Sequence, residues 1–270
     1  MLSEHNFTTR NHRANQKKTS NRFIVNFASS TDEILTCQRL RYNVFSSETG
    51  AQFEYPDSML DVDQDRFDIY CQHLQVYDTM TGEIVGTARL LLEDQTVQSG
   101  GFYSEQEFDL GALLPLPGRV LEIGRTCVHP SYRRGPTISM LWAGLAQFIA
   151  IHKIDFMIGC ACIPLSEGYH KVYAALNYIR QNHPAPIHLE VEPFYPFPLN
   201  EDEDVAAEKL AIPSLLNAYL RLGANICSDP CMDPDFNTVD MFIFLDVDNL
   251  NARYKQYGSS RECMHSLRQR

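Results

Sequence analysis

The fold is decided by one stretch of sequence, residues 121–136, which reads LEIGRTCVHPSYRRGP. Its first part alternates apolar and polar side chains, as a half-buried strand does, and we predict a strand over residues 119–128. This strand carries an acid and a base three residues apart, Glu122 and Arg125. The pair makes the strand the centre of a candidate site.

The second part of the stretch is a basic turn that contains glycine and opens an amphipathic helix, predicted over residues 136–151. Pro136 falls near the first helical position, where a missing N–H costs no hydrogen bond. Free N–H groups at a helix start bind phosphate well, and Arg133 and Arg134 add positive charge. The turn therefore predicts a site for a phosphate or pyrophosphate, with a basic turn that faces only solvent as the alternative.

The elements on either side follow from apolar periodicity and turn residues. The predicted strands cover residues 22–28, 73–77, 83–92, 155–162 and 239–247. One predicted helix begins at Ser30, and two others cover residues 169–181 and 212–222. Residues 46–70 are polar and acidic, and we predict a long loop there. The turn at residues 78–82 joins two strands as an antiparallel hairpin, which excludes a run of regular β–α–β units. We predict an α/β fold of the layered α+β kind, with a mixed central sheet flanked by helices.

The whole chain has 270 residues, which suits one large domain, and its net charge of −11 argues against nucleic acid as a partner. We predict a flexible basic tail over residues 1–21 and a single domain over residues 22–270, with a C-terminal extension from about residue 190. No apolar run reaches the roughly 18 residues of a membrane span, and the N-terminus lacks a secretion signal. We therefore expect a cytoplasmic protein, and a peripheral contact at the inner face of the membrane stays open.

The eight cysteines are scattered, several of them in apolar runs, which indicates buried free thiols in a reducing compartment. A zinc site built from Cys160, Cys162, Cys227 and Cys231 would have a spacing that matches no common zinc knuckle, so we expect no metal. The chain also lacks the glycine-rich dinucleotide fingerprint, the phosphate loop, the zinc-protease motif and the serine-hydrolase motif. These absences argue against the enzyme classes that depend on those motifs.

Several further stretches make the chain familiar: residues 39–45 with Glu48, 65–68, 86–91, 122–125 with the turn that follows, 219–224 and 233–238. On these motifs the sequence resembles the bacterial ornithine N-acyltransferases and the related hemolysin-like branch of the GNAT superfamily. The likeness runs from about residue 22 to 257. The resemblance implies a GNAT fold. It also implies an enzyme that moves a fatty or 3-hydroxy fatty acyl group from acyl carrier protein to the α-amine of an amino acid, with ornithine as the favoured acceptor.

The chain is also distantly similar to acyl-homoserine-lactone synthases. That likeness implies a shared set of site residues, which fall here on Arg41, Phe45, Asp63, Asp65, Asp68, Arg89, Glu122 and Arg125. No bound cofactor is implied, because the acyl group arrives on the 4′-phosphopantetheine thioester of the carrier as a co-substrate.

These residues suggest separate roles. We expect Glu122 to accept the amine proton, directly or through a water, and Arg89 or Arg125 to hold the substrate carboxylate through a bidentate fork. A splayed strand near residues 126–128 would offer backbone N–H groups to the oxyanion. Glu48, Asp65 or Asp68 would hold a second, cationic amine, which favours ornithine or lysine; a purely structural salt-bridge network is the alternative for the aspartates.

The donor site is predicted at the turn, on Val128, Arg133, Arg134, Gly135 and Thr137. Relatives that use acetyl-CoA usually have a second glycine in this turn, whereas here Pro136 and Thr137 follow Gly135. Proline removes one N–H donor. A carrier protein presents a single phosphate, so we favour acyl carrier protein over CoA. The acidic carrier would dock on a basic patch, predicted from Arg119, Arg133, Arg134 and Lys153.

Two other functions stay open. One is the synthesis of an acyl-homoserine lactone by the same chemistry. The other is a non-catalytic GNAT-like module that binds acyl carrier protein or a membrane.

Overall fold

A computed structural model describes residues 21–53, 61–111, 113–198, 206 and 212–250. The predicted basic tail, apart from Asn21, and the last twenty residues of the predicted extension therefore lie outside the described residues. The strands are β1 (Phe23–Phe27), β2 (Gln72–Asp78), β3 (Glu83–Leu92), β4 (Phe108–Asp109), β5 (Val120–Val128), β6 (Phe156–Pro164), β7 (Glu192–Pro193), β8 (Asn225–Ile226), β9 (Cys231–Asp233) and β10 (Thr238–Asp246). The helices are α1 (Thr31–Glu48), α2 (Thr96–Ser99), α3 (Thr137–His152), α4 (Tyr169–Asn182) and α5 (Ser214–Leu222).

The main sheet has the strand order β1-β2-β3-β5-β6-β10-β8, with β9 also paired to β10. All pairs in it are antiparallel except β5 with β6, which is parallel. Strands β4 and β7 form a separate antiparallel pair. The predicted mixed sheet with flanking helices is confirmed.

The two faces of the sheet carry different layers. Helices α3, α4 and α5 bury Leu145, Val172 and Leu216 in the larger apolar cluster. The opposite face carries a second cluster that includes Phe108 and Phe242, from the segments that precede β5 and from β10. Adjacent residues of β10 fall into different clusters because successive side chains of a strand point to opposite faces.

Helix α1 begins as predicted, since the Ser30 side chain accepts a hydrogen bond from the Glu33 N–H. It runs to Glu48, into the segment that the sequence indicated as a loop from residue 46. Hydroxyl groups explain the longer helix, because Ser46 and Thr49 donate to the carbonyl groups of Tyr42 and Phe45 in its last turns. The loop begins only after this helix.

A fork opens in the middle of the sheet. The parallel pairing joins Val120–Glu122 of β5 to Phe156–Ile158 of β6, although both strands run on for six more residues. Their outer edges stay paired, β5 to β3 and β6 to β10. The strands come closest at Gly159, where an added Cβ would lie 2.4 Å from the Ile123 carbonyl oxygen. Beyond this apex the facing edges of the two strands separate.

A bulge in β5 brings Glu122 and Arg125 to the same face. Residues three apart on a regular strand point to opposite faces. Here the register of β5 against β3 shifts between Thr87 and Arg89, and Arg125 takes a left-handed φ of 49°. Both Glu122 and Arg125 consequently contact Tyr103 on the face away from α3.

Candidate active site

Three arginines and three aspartates form a buried ionic network on the face that holds α1. Its members are Arg41, Arg89, Arg125, Asp63, Asp65 and Asp68. Arg41 Nε lies 2.9 Å from Asp63 Oδ2, and Arg41 Nη2 lies 2.9 Å from Asp68 Oδ1. Arg89 Nη1 lies 2.6 Å from Asp65 Oδ1. The charges of the network are balanced, three against three.

This balance argues against several roles that the sequence suggested. Arg41, Arg89 and Asp68 are 0%, 3% and 3% exposed, and none of the three is among the residues that line the pocket described below. Burial raises the pKa of Asp68, but the Arg41 and Arg89 guanidinium groups outweigh it and hold that pKa well below the usual range. Asp65 reaches the pocket, but it is already paired with Arg89 and Arg125. These ion pairs fit the structural alternative for the aspartates, and a role of Asp65 or Asp68 in holding an acceptor stays a prediction.

Glu122 is fully engaged in hydrogen bonds. Its Oε2 accepts from the Tyr103 N–H at 2.7 Å, and its Oε1 accepts from the Ser104 N–H and hydroxyl at 2.7 and 2.6 Å. Burial raises its pKa, and the hydrogen bonds from Ser104 oppose the rise. Glu122 is 4% exposed and is not among the residues that line the pocket. These hydrogen bonds fix the segment at Tyr103, and the expected role of Glu122 as proton acceptor stays a prediction.

A pocket opens on this face beside the network. It encloses about 840 Å³, part of it open to solvent. Its wall is rich in aromatic rings, those of Phe53, Phe67, Tyr103, Tyr195 and Phe236. Arg125 lies in it with its guanidinium carbon 4.7 Å from the Tyr103 ring and 4.3 Å from the Phe236 ring. Of the three predicted catalytic residues, Arg125 is the one that lines this pocket.

Glu107, which sequence reasoning missed, also lines the pocket. It is 7% exposed, and neither carboxylate oxygen makes a well-aligned hydrogen bond among the described residues, although the Cys160 thiol and the Tyr103 hydroxyl lie close enough to interact with it. Its ligand atoms and those of Cys160 and Asp240 lie within 4.8 Å of one another. Burial, together with the charges of Asp240 and Asp233, raises the pKa of Glu107 well above its usual range. Burial and Asp233 raise the pKa of Asp240 to about 7.

Phe45 and Glu48, which were also predicted to bind the acceptor, are not among the residues that line the pocket. The Phe45 ring packs edge-on against Phe236, with centroids 5.6 Å apart, so it supports the pocket wall from behind. Glu48 is an exposed partner of Arg133, with Oε1 2.5 Å from Nη2, and it is absent from the pocket lining. The expected role of Glu48 in holding a substrate amine stays a prediction.

The predicted donor residues gather at the open end of the fork. Arg133 Nε donates to the carbonyl of Val128, the last residue of β5. Gly135 and Thr137 lead into α3, whose N-cap residue Pro136 offers no side-chain hydrogen bond. The N–H groups of the first turn thus have no capping side chain. The Thr137 hydroxyl is buried without a hydrogen-bond partner among the described residues.

The predicted basic patch is divided between two ends of the sheet. Arg119 precedes β5 and Lys153 follows α3, whereas Arg133 and Arg134 lie beyond the other end of β5. A nine-residue strand spans about 30 Å, so the two pairs cannot form one patch. Arg119 is also engaged with the His152 carbonyl.

The cysteines do not gather as the zinc alternative required. Within the described ranges, the one group of three close acid, thiol or imidazole ligands is Glu107, Cys160 and Asp240, with a single cysteine. Cys37, Cys71, Cys127, Cys227 and Cys231 are buried free thiols as predicted, but Cys162 is exposed.

Among the helices in the described part of the chain, none is long and apolar enough to span a membrane.

Comparisons with known proteins agree with this architecture. Residues 40–143 match the family model described as acetyltransferase (GNAT) domain. The L-ornithine N(alpha)-acyltransferase of Brucella abortus is 36% identical over 86% of this chain and 87% of its own length. The protein of the same name from Rhizobium meliloti is 35% identical over 85% and 82%. The one from Rhodobacter capsulatus is 32% identical over 88% and 95%.

Solved structures are more distant. FeeM, an N-acyl amino acid synthase from uncultured soil microbes, is 9% identical with a TM-score of 0.49, over 90% of this chain and 97% of its own. The CoA-dependent acyl-homoserine lactone synthase BjaI is 14% identical with a TM-score of 0.49, over 84% and 80%. The curated relatives decide the assignment by their identity and coverage. The chain is an N-acyltransferase of the GNAT fold and belongs to the L-ornithine N(alpha)-acyltransferase family.

Proposed function

We propose that this enzyme transfers a fatty acyl group from the 4′-phosphopantetheine thioester of acyl carrier protein to the α-amine of ornithine, giving a lyso-amino-acid lipid. The observation that carries the proposal is the pocket in which Arg125 lies among acidic residues, beside the fork in the sheet. The names of the curated relatives support ornithine as the acceptor. Lysine, one methylene longer with the same charges, is the second candidate acceptor.

The acceptor would enter the pocket as a cation with one carboxylate. Arg125 suits the carboxylate because its guanidinium is planar and is held between two rings. The charged residues that line the pocket are two arginines, Arg66 and Arg125, and five acids, Asp63, Asp65, Glu107, Asp233 and Asp235. This excess of acidic side chains favours an acceptor with a second ammonium group over a neutral amino acid.

The thioester would lie in the fork. Past Glu122 the inner edge of β5 is not paired to β6, so its N–H groups face the gap. Such groups can donate to the oxyanion that forms when an amine attacks a thioester carbonyl. The phosphopantetheine phosphate would meet the uncapped first turn of α3, with Arg133 and Arg134 beside it.

Acyl carrier protein is preferred over CoA because Pro136 removes one N–H donor from that turn. One phosphate needs fewer donors than a pyrophosphate does. The proposal places the enzyme in the cytoplasm, with a peripheral contact at the inner face of the membrane that receives the amphiphilic product.

A single panel tests the proposal. Free-thiol release is measured with ornithine, lysine and norvaline as acceptors, each with a 3-hydroxyacyl carrier protein and with the matching acyl-CoA. We expect the highest kcat/KM for ornithine with the carrier-bound donor. For norvaline, which lacks the second ammonium, kcat/KM should be at least about tenfold lower, because the loss of one charge-assisted contact costs roughly 1.5 kcal/mol. Preference for CoA would contradict the donor assignment, and preference for norvaline would contradict the acceptor assignment. No transfer with any pair would favour a binding module.

A further inference from the structure

The proposed reaction needs a base, and the residue expected to act as one is engaged elsewhere. Both oxygens of Glu122 accept hydrogen bonds from the Tyr103–Ser104 segment. A general base must reach the proton it removes, directly or through one water. The acceptor ammonium therefore needs a different carboxylate, one that faces the pocket and is not already satisfied.

From this geometry we infer that Glu107 is the general base that takes a proton from the acceptor amine, with Asp240 as the partner that tunes it; the inference rests on the proposed function. Glu107 is 7% exposed and lines the pocket, and neither of its carboxylate oxygens makes a well-aligned hydrogen bond among the described residues. A buried carboxylate without a partner is costly, and an arriving ammonium would satisfy it.

The position of the cluster beside the fork supports the reacting amine as its ligand. Cys160 lies on β6 two residues beyond Ile158, the last residue paired to β5. Its thiol contacts the Ser104 hydroxyl at 3.4 Å, and that hydroxyl donates to Glu122 on β5. Glu107, whose carboxylate lies within 4.8 Å of the Cys160 sulfur, is thus next to the apex where the two strands part.

The groups around Glu107 set its protonation. Asp240 on β10, Asp233 on β9, Cys160 on β6 and Tyr103 on its own segment face it, and Cys231 donates to its backbone carbonyl. Burial and the charges of the two aspartates raise the pKa of Glu107, while the nearby Cys160 thiol and Tyr103 hydroxyl, which can donate to its carboxylate, lower it in part. A carboxylate with a raised pKa is a stronger base near neutral pH than an ordinary glutamate.

The step balances as follows. Glu107 removes one proton from the ammonium, and the neutral amine attacks the thioester carbonyl carbon. A C–N bond forms and the C–S bond breaks. The second amine proton goes to the leaving sulfur, which departs as the thiol of the carrier, and Glu107 returns its proton to solvent before the next turnover.

The test compares E107Q, D240N and the matched control E192Q in the acyl carrier protein assay with ornithine. Glu192 is an exposed acid on β7, the strand paired with the end of the segment that carries Glu107. We expect E107Q to lose at least about 100-fold in kcat, as for other general bases, with KM for ornithine changed less than threefold. E192Q keeps wild-type kinetics.

The pH profile separates a base from a structural residue. Activity should fall in the wild type as the pH drops through the pKa of Glu107. D240N removes a neighbouring negative charge and lowers that pKa, so this limb moves to lower pH. Two outcomes would overturn the inference. One is a kcat of E107Q within threefold of the wild type. The other is an acid limb of the pH profile that does not move in D240N, although this variant unfolds at the same temperature as the wild type. If the wild type itself transfers nothing to ornithine, the proposed function fails and not the assignment of Glu107.

Discussion

At the scale of single residues, burial decides what a charged pair contributes. Asp68 is 3% exposed and bonded to two arginines, whereas Asp229 meets Arg180 at the surface with both side chains at least half exposed. Exposed ion pairs contribute little because water screens them. Removing one partner of a buried pair instead leaves the other charge uncompensated.

We expect D68N to lower the free energy of unfolding by about 3–5 kcal/mol, and D229N to lower it by less than about 1 kcal/mol. Urea unfolding at neutral pH measures both. Because the folded-state pKa of Asp68 is depressed, its contribution is complete above the unfolded pKa of about 3.9 and is lost as the pH falls below it. D68N should therefore unfold with a weaker pH dependence in acid. Equal losses for D68N and D229N would contradict the role of burial.

Residue types alone could not separate Glu107 from its neighbours. Glu105, Glu107 and Asp109 alternate along one short segment. Glu105 is exposed and accepts from the Phe102 N–H, and Asp109 is exposed and accepts from the Gly111 N–H. Only tertiary contacts with β6 and β10 bury Glu107. The sequence could identify Arg125 and Glu122 by likeness, but it could not tell which carboxylate was already satisfied.

At the scale of elements, the long helices and strands were predictable because apolar periodicity extends over many residues. Strands β4, β7, β8 and β9 have two or three residues, too few for a period to show. The bulge at Arg125 was also invisible, since a left-handed arginine leaves no compositional signal. That bulge is nevertheless what aims Arg125 into the pocket.

The fork provides a matched pair of glycines, one on each strand. An added Cβ at Gly159 would meet the Ile123 carbonyl at 2.4 Å, whereas one at Gly124 meets nothing within 4 Å. We expect G159A to lower the free energy of unfolding by about 2 kcal/mol or more, because backbone must shift at the apex. G124A should stay within about 1 kcal/mol of the wild type, as for a substitution into open space. Thermal unfolding of both variants checks this, and equal stability would show that the apex tolerates a side chain.

At the scale of the whole molecule, basic side chains at the two ends of the sheet have different surroundings. Arg134 is exposed at the turn where the fork opens, and Lys153 is exposed at the opposite end, after α3. Only the first position can meet a carrier whose prosthetic arm enters the fork. The net charge of −11 would not attract the proposed acidic carrier, so its docking would depend on local positive charge.

We expect R134E to raise KM for the acyl carrier protein about fivefold at low salt, the effect of roughly 1 kcal/mol at an interface rim, with kcat little changed. The matched charge reversal K153E should leave KM unchanged. The difference should shrink as salt is added, because salt screens exposed charges. Steady-state kinetics at two ionic strengths measure both effects, and a larger effect of K153E would move the docking surface to the other end of the sheet.

The fork also has a consequence for how the two substrates meet. The pocket lies on the face of the sheet that holds the ionic network, and α3, whose first turn marks the donor end, packs on the other face. In the proposed reaction, acceptor and donor would approach from opposite sides and meet only through the gap between β5 and β6. Neither substrate would have to leave before the other binds. We therefore expect a ternary complex in which the sheet separates the two substrates except at the gap where the new bond forms.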